Sequence, residues 1–419
     1  MMPASGKTVA LIDPLWIGHH PMYFSQFTAS FLRTGAKVIG LCPEPEAAMR
    51  DLLEAVDPDM AATLEQRVHL QKLPSGGRSF FNGRFEGDPA RTFSRWKRAA
   101  DVLAEAEANS GMKSDLVYFP YLDSYLRFLP FPAIPKFLLN RPWSGLYLRN
   151  HHHGESKSPA KALRLLAKGD AILRSDLCRG IGVLDERFIP AMERYTGRII
   201  IPYPDVTQGG LPAKPFPLAL EIQRKARGRK IVGMIGLERR KGFLTLLRTA
   251  ELARKQNLPY YFVCAGTISL AQFTESEQEM LGALSRGIAS GEIDNLHFDP
   301  SAGRIPGEAD YNSLFLTFDI AWAAYEGFQG SSGTLSKAAL FEIPCIASTG
   351  ECIGQRVEKY GMGLTIHEGD AEQALTAVQL LTAGKGPNEQ PPSPHFEDYR
   401  EDHSLARLDR ILTELLAAV

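Results

Sequence analysis

Cysteine is scarce and scattered. The chain of 419 residues has five, Cys42, Cys178, Cys264, Cys345 and Cys352, with no C-x-x-C pair among them. That spacing suggests neither a disulfide framework nor a thiolate zinc site, and it fits a reducing cytoplasm. Long apolar runs are also missing: no stretch approaches the ~20 residues that span a bilayer. The apolar run Val9 to Ile12 is interrupted by Asp13 and Pro14, so it does not read as a secretory signal. Neither sign of charge dominates. Lysine and arginine number 47 and aspartate and glutamate 48, a formal net charge of −1. Broad electrostatic binding to nucleic acid is therefore not expected, while local basic patches leave peripheral membrane contact open. There is no tandem repeat, and the only biased tracts are two proline-rich joints near residues 202–217 and 387–394. The dinucleotide fingerprint G-x-G-x-x-G is absent as well. Gly18 stands alone at the first turn, and Gly361-Met362-Gly363 lacks both the remaining glycine and the strand-to-helix setting. A nicotinamide enzyme is thus disfavoured.

What is present is a globular composition, 44% apolar and 23% charged, on a chain too long for one ordinary core. Residues 8–13 read as a strand, 22–33 as an amphipathic helix and 37–42 as a second strand, a βαβ unit with Gly18 at its turn. Residues 46–67 and 89–109 read as helices. Further strands are expected at 115–119, 143–148, 171–173, 182–184 and 198–201. The proline-rich joint that follows, with Gly209-Gly210 in it, marks a domain boundary. Beyond it, strands at 231–236, 261–267, 295–298, 320–325, 345–348 and 363–366 alternate with helices. A final helix carries Leu405, Leu408, Leu412 and Leu415 on one face.

The most informative stretch is residues 316–348. An apolar strand, Ile320 to Tyr325, leads into Glu326-Gly327-Phe328-Gln329-Gly330-Ser331-Ser332-Gly333, and Thr334 opens a helix that Pro344 ends. Ser331 and Ser332 are good N-caps. The helix behind them directs free amides and the positive end of its dipole over the loop. Glycine permits close approach of a ligand, so the junction reads as an anion site at the carboxyl end of a strand. An ordinary glycine-rich turn is the alternative from these residues alone. Elsewhere, His19 and His20 beside Gly18 read either as surface histidines or as ligands of an acceptor or a donor phosphate. Residues 74–85 mix glycine, arginine and phenylalanine, as an acceptor loop or a mobile surface loop would. His151-His152-His153 ends a strand. Adjacent side chains alternate in direction, and no cysteine or carboxylate cluster accompanies them, so no metal site is expected.

Glu326-Gly327-Phe328, a small-residue loop, a short helix and Ile343-Pro344-Cys345-Ile346-Ala347-Ser348 together resemble the donor segment of GT-B glycosyltransferases of the family 4 type. There the pattern runs E-G-F-G-x-x-x-L-E-A-M-A-x-G-x-P-V-I-A-S. Arg240-Lys241-Gly242 matches that family's R-K-G loop. Two departures stand out. The loop after Glu326 is about three residues longer, and Lys337 occupies the place of the family's second glutamate. The first arginine of the family's phosphate loop is also replaced, by Leu237.

The resemblance implies an α/β GT-B fold, two Rossmann-like domains facing a central cleft, with the C-terminal helix crossing back to the first. It divides the chain into residues 1–203 on the acceptor side, residues 204–395 for the nucleotide-sugar donor, and a terminal helical segment, 396–419. It implies transfer of a sugar from a nucleotide-diphosphate donor to an acceptor hydroxyl. It implies as well that configuration is retained and that no metal or other cofactor is bound. Glu326, Lys241 and His151 are the catalytic candidates. Gly18, Arg239, Lys241, Glu326, Gly327, Phe328, Ser331, Ser332, Gly333, Thr334 and Lys337 are the donor-binding ones. His19, His20 and His152 fall to the acceptor, although local sequence does not choose between His151 and His152 for the place beside the reacting sugar. Lys337 either reaches a phosphate or points to solvent in a degenerate site. Two alternatives follow from the departures and the shared fold: a non-catalytic GT-B partner or scaffold, and a nucleotide-sugar epimerase.

Overall fold

The computed structural model describes residues 6–75, 89–126, 131–153, 159–160, 170–385 and 393–419. The chain forms two compact units, one of Met1–Pro204 with Leu405–Val419 and one of Asp205–Ser404.

In the first unit, short apolar runs separated by helix-forming stretches make seven strands. They are β1 (Thr8–Ile12), β2 (Lys37–Cys42), β3 (Val68–Lys72), β4 (Leu116–Phe119), β5 (Trp143–Leu146), β6 (Cys178–Val183) and β7 (Ile200–Pro202). They pair in the order β3-β2-β1-β4-β5-β6-β7, every pair parallel. β1, β4 and β5 are buried throughout, as strands covered on both faces must be. Trp96 anchors one face. Its ring meets Trp143 edge-on at 6.0 Å, and its Nε1 donates to the Tyr125 carbonyl at 2.8 Å, so the Trp96 indole donor is paired.

Two expectations fail here. Residues 46–67 are not one helix but three pieces, Pro45–Ala55, Pro58–Ala61 and Leu64–Arg67, followed by β3. Pro58 cannot continue a helix, and Asp57 caps a new one by accepting from the Met60 amide at 2.8 Å. Residues 171–173 lie in a 3-10 turn, Asp170–Arg174, rather than a strand. Ile172 and Leu173 are fully buried there, so a short apolar run meets the demand for core contact without joining the sheet.

The second unit holds β8 (Lys230–Leu237), β9 (Tyr260–Ile268), β10 (Leu296–Phe298), β11 (Ile320–Ala323), β12 (Cys345–Ser348) and β13 (Gly363–Ile366). Their order is β10-β9-β8-β11-β12-β13, again all parallel. The strand order reverses between β8 and β11, and in such sheets ligands sit at the carboxyl ends of the strands flanking that point. In the first sheet the reversal falls between β1 and β4.

The terminal segment divides differently from the expected break at residue 396. The helix Phe396–Asp402 belongs to the second unit, where Phe396 and Tyr399 are buried. Tyr399 meets Tyr360 edge-on at 5.1 Å. The helix Leu405–Ala417 belongs to the first unit and packs on the helix His20–Arg33. Leu408, Leu412, Leu415 and Leu416 are buried, whereas Leu405 is 39% exposed and lies off that face. Each such leucine contributes about 1.5–3 kcal/mol. Arg33 Nε and Asp409 Oδ2 pair at 2.7 Å along the same contact. Among the described residues, no helix is long and apolar enough to cross a membrane.

Candidate active site

The ends of β8 and β11 meet around two glycines. At Gly236, φ is +86° and the register of β8 against β9 shifts. A Cβ there would stand 2.6 Å from Lys241 Nζ. The Lys241 ammonium therefore lies directly over the Gly236 backbone, donating to the Ile235 carbonyl at 3.2 Å. Glu238 Oε1 is 3.6 Å away. Gly242, at φ +72°, ends the turn Arg239–Lys241, and a Cβ there would fall 2.0 Å from the Ala324 carbonyl oxygen. Only glycine lets the helix Phe243–Lys255 begin so close to the end of β11. Trp322 Nε1 donates to the Lys241 carbonyl at 3.1 Å and completes this seat.

Glu326 is held from several sides. Its amide donates to the Arg240 carbonyl at 2.8 Å. Its Oε1 accepts from Thr245 Oγ1 at 2.5 Å. The next amide, of Gly327, donates to Glu368 Oε2 at 3.0 Å. Phe328 packs on Tyr325, with ring centroids 5.3 Å apart. The Arg240 guanidinium stands 4.9 Å from the Phe328 ring. Burial alone would raise the Glu238 carboxyl. The hydrogen bond from Arg240, with the charges of Lys241 and Arg240, outweighs that and keeps it below the usual range.

The helix Gly333–Leu340 has Ser332 as its N-cap, whose Oγ accepts from the Thr334 amide at 3.2 Å. The Ser332 hydroxyl donates to Tyr325 Oη at 3.0 Å, and Tyr325 Oη lies 3.2 Å from Thr334 Oγ1. The Leu335 and Ser336 amides bond the Ser332 carbonyl. Of the first-turn amides, Gly333 N–H is left without a partner among the described residues. Gly333 is exposed and Ser331 half-buried. The anion site expected from the sequence thus narrows to one free amide.

Two donor-site candidates are engaged elsewhere. Arg239 bonds Glu277 at 2.7 Å. That hydrogen bond is the largest of the effects that hold the Glu277 carboxyl down at about 2. Lys337 is 4% exposed, so the solvent-facing alternative does not hold. Its ammonium bonds the Glu308 carboxylate and the Gln208 carbonyl. Burial pushes that ammonium below its ordinary value, and Glu308 opposes the shift.

In the first unit, Gly18 is exposed at φ +60° and His19 is exposed beside it. His20 is buried. Its Nδ1 lies 2.8 Å from both oxygens of Asp13, and its ring stacks on Tyr121 at 4.0 Å. Asp13 has no accessible surface, and burial raises its carboxyl against the influence of His20. The pair sits where the order of the first sheet reverses. The side chains of His151 and His152 lie outside the described residues, as does most of the candidate loop at 74–85. His153 is buried, with Nε2 3.0 Å from Asp170 Oδ2, and Tyr147 Oη donates to the same carboxylate at 3.1 Å. It is a core histidine. Gly236, Thr245, Trp322 and Glu368 escaped the sequence reading. A glycine ending an apolar strand was a signal for the first, and nothing local marked the other three.

The two parallel sheets, each with a reversal of strand order, form the GT-B fold. No family model and no curated protein sequence matches the chain. Solved structures do match, and the likeness is one of fold. HepE of Anabaena in complex with UDP shares 13% identity, with 99% of this chain and 100% of that chain covered, at a TM-score of 0.62. A UDP-forming trehalose-phosphate synthase from Burkholderia xenovorans shares 14%, over 99% of each chain, at 0.61. Sucrose-phosphate synthase from Thermosynechococcus elongatus shares 15%, over 99% and 100%, at 0.59.

Proposed function

We propose that the protein is a glycosyltransferase that moves a sugar from a nucleotide-diphosphate donor to an acceptor hydroxyl. One observation carries the reading. A lysine ammonium over the end of β8 and a clamped carboxylate just beyond the end of β11 lie on the two strands between which the second sheet reverses its order. When the glycosidic bond to the donor phosphate breaks, the departing diphosphate gains negative charge. Lys241, over Gly236, supplies a positive charge for it, and the Gly333 amide is a second donor. Glu326 reads hydroxyls of the donor sugar. A cavity of about 590 Å³ runs from Arg229 and Asp294, before β8 and β10, to Gly266 and Asp299, and its Gly266 end is the candidate place for a nucleotide base. Neighbours of the same fold were solved with UDP and with UDP-glucose, so these are the first ligands to try.

The finer reading follows the family 4 resemblance: retention of configuration, hexosyl transfer, no metal and no resident cofactor, with the nucleotide sugar as co-substrate. The acceptor lies with the first unit, and His20, held by Asp13, is the candidate to meet its hydroxyl. Five free, buried cysteines support a reducing cytoplasm. The test is incubation of the purified protein with UDP-glucose and hydroxyl acceptors. Product analysis reads the anomer, and chelator addition reads the metal. Release of UDP without transfer would still mark a donor enzyme.

A second reading, a non-catalytic GT-B partner, is favoured by two observations. Lys337, at a place where the family contacts the donor, and Arg239, the candidate to replace the family's missing arginine, are both paired within the protein. Absence of binding to any nucleotide sugar would favour it.

A further inference from the structure

Thr245 differs from five other helical threonines among the described residues. Thr28, Thr196, Thr249, Thr382 and Thr413 each donate their hydroxyl to the carbonyl four residues back, at 2.7–2.8 Å. That is the usual resort of a buried helical threonine. Thr245 sits in the first turn of the helix Phe243–Lys255 and is 1% exposed. The carbonyl four residues back belongs to Lys241, in the preceding turn, and accepts from Trp322 Nε1. The Thr245 hydroxyl instead crosses to β11's end and donates to Glu326 Oε1 at 2.5 Å. Glu326 Oε2 has no protein partner among the described residues.

We propose that Thr245 is a positioning residue for the donor sugar, acting through Glu326. The inference rests on the proposed donor role of Glu326. One carboxylate oxygen is held by Thr245 and the other is left to accept from a sugar hydroxyl. The backbone of Glu326 is fixed separately, through the Arg240 carbonyl. Removing the hydroxyl therefore frees the carboxylate to rotate without moving the loop. Trp322 takes one lone pair of the Lys241 carbonyl, and it ties the lysine and the glutamate to one seat.

A functional and a purely structural role rank the variants differently. Thr245→Val keeps the shape but sets a methyl against the Glu326 carboxylate, so the melting temperature falls. Thr245→Ser keeps the hydroxyl but loses a buried methyl, so the melting temperature falls as well. For a positioning role only the valine variant loses sugar recognition. UDP and UDP-glucose are titrated calorimetrically into each protein, and the preference for UDP-glucose over UDP is read. Thr245→Val should lose about tenfold of that preference, the loss expected for a hydrogen bond to a charged group, with UDP affinity unchanged. Thr245→Ser should keep the preference despite its lower melting temperature. In a Glu326→Gln background, Thr245→Val should cause no further loss. If Glu326→Gln abolishes the preference and Thr245→Val leaves it intact, the positioning role is refuted and the donor site stands. If wild type shows no preference for UDP-glucose, or Glu326→Gln leaves it intact, the donor reading of Glu326 fails and this inference falls with it.

Discussion

Replacing Lys337 by methionine separates a structural lysine from a phosphate-binding one. The Lys337 ammonium bonds Glu308, whose side chain is 52% exposed, so water screens that pair and it is worth about 1 kcal/mol or less. The Gln208 carbonyl would keep a second donor, Asn312 Nδ2 at 3.1 Å. Methionine fills the space of the aliphatic stem and removes the cost of burying an ammonium. Net stability should change by about 1 kcal/mol or less, about 2–4 °C for a unit of this size. Lys337→Glu differs: it sets a buried carboxylate against Glu308 and leaves it unpaired, at about 3–5 kcal/mol. The assays are calorimetric melting and titration with UDP. Lys337→Met should bind UDP within about twofold of wild type, a difference under about 0.5 kcal/mol. A tenfold loss of UDP affinity at an unchanged melting temperature would show that the ammonium serves phosphate, and would refute the argument.

Three other outcomes are expected. Lys241→Ala should lower donor turnover at least about tenfold, from loss of a charge-assisted hydrogen bond of about 1.5–3 kcal/mol, measured as UDP release from UDP-glucose. His20→Ala should weaken transfer to an acceptor but not the binding of UDP, since His20 lies in the first unit and Lys241, Glu326 and Gly333 in the second; equal loss of both would contradict its acceptor role. The Glu277 carboxyl, held down at about 2 from 4.5, contributes stability that is full above about pH 4.5 and lost as pH falls through about 2. An NMR pH titration should find it there, and Arg239→Gln should move it back toward its ordinary value.

Most of the strand order was legible because most of the strands are short apolar runs; β3 was not, because His69, Gln71 and Lys72 leave it no apolar run. Glu326 and Lys241 were legible because each lies in a contiguous pattern tied to a strand end. What connects them was not. Thr245 meets Glu326 across 81 positions of sequence, a contact that exists only because β8 and β11 are neighbours in the sheet. The direction of Lys337 depends on Glu308, on a helix that its own sequence neighbourhood does not reveal. The strand expected at 171–173 failed because three apolar residues serve a core equally well from a 3-10 turn. The break expected at residue 396 failed because the proline-rich joint before it is not where the packing changes: Phe396 and Tyr399 still belong to the second core.

The most direct test of the central claim is calorimetric titration of wild type and Glu326→Gln with UDP and with UDP-glucose. A nucleotide-sugar donor site at the ends of β8 and β11 predicts that wild type binds both, with UDP-glucose the tighter. Glu326→Gln should keep its UDP affinity and lose the advantage of the sugar. Failure of wild type to bind either ligand, or an equal loss for both in the variant, would contradict it.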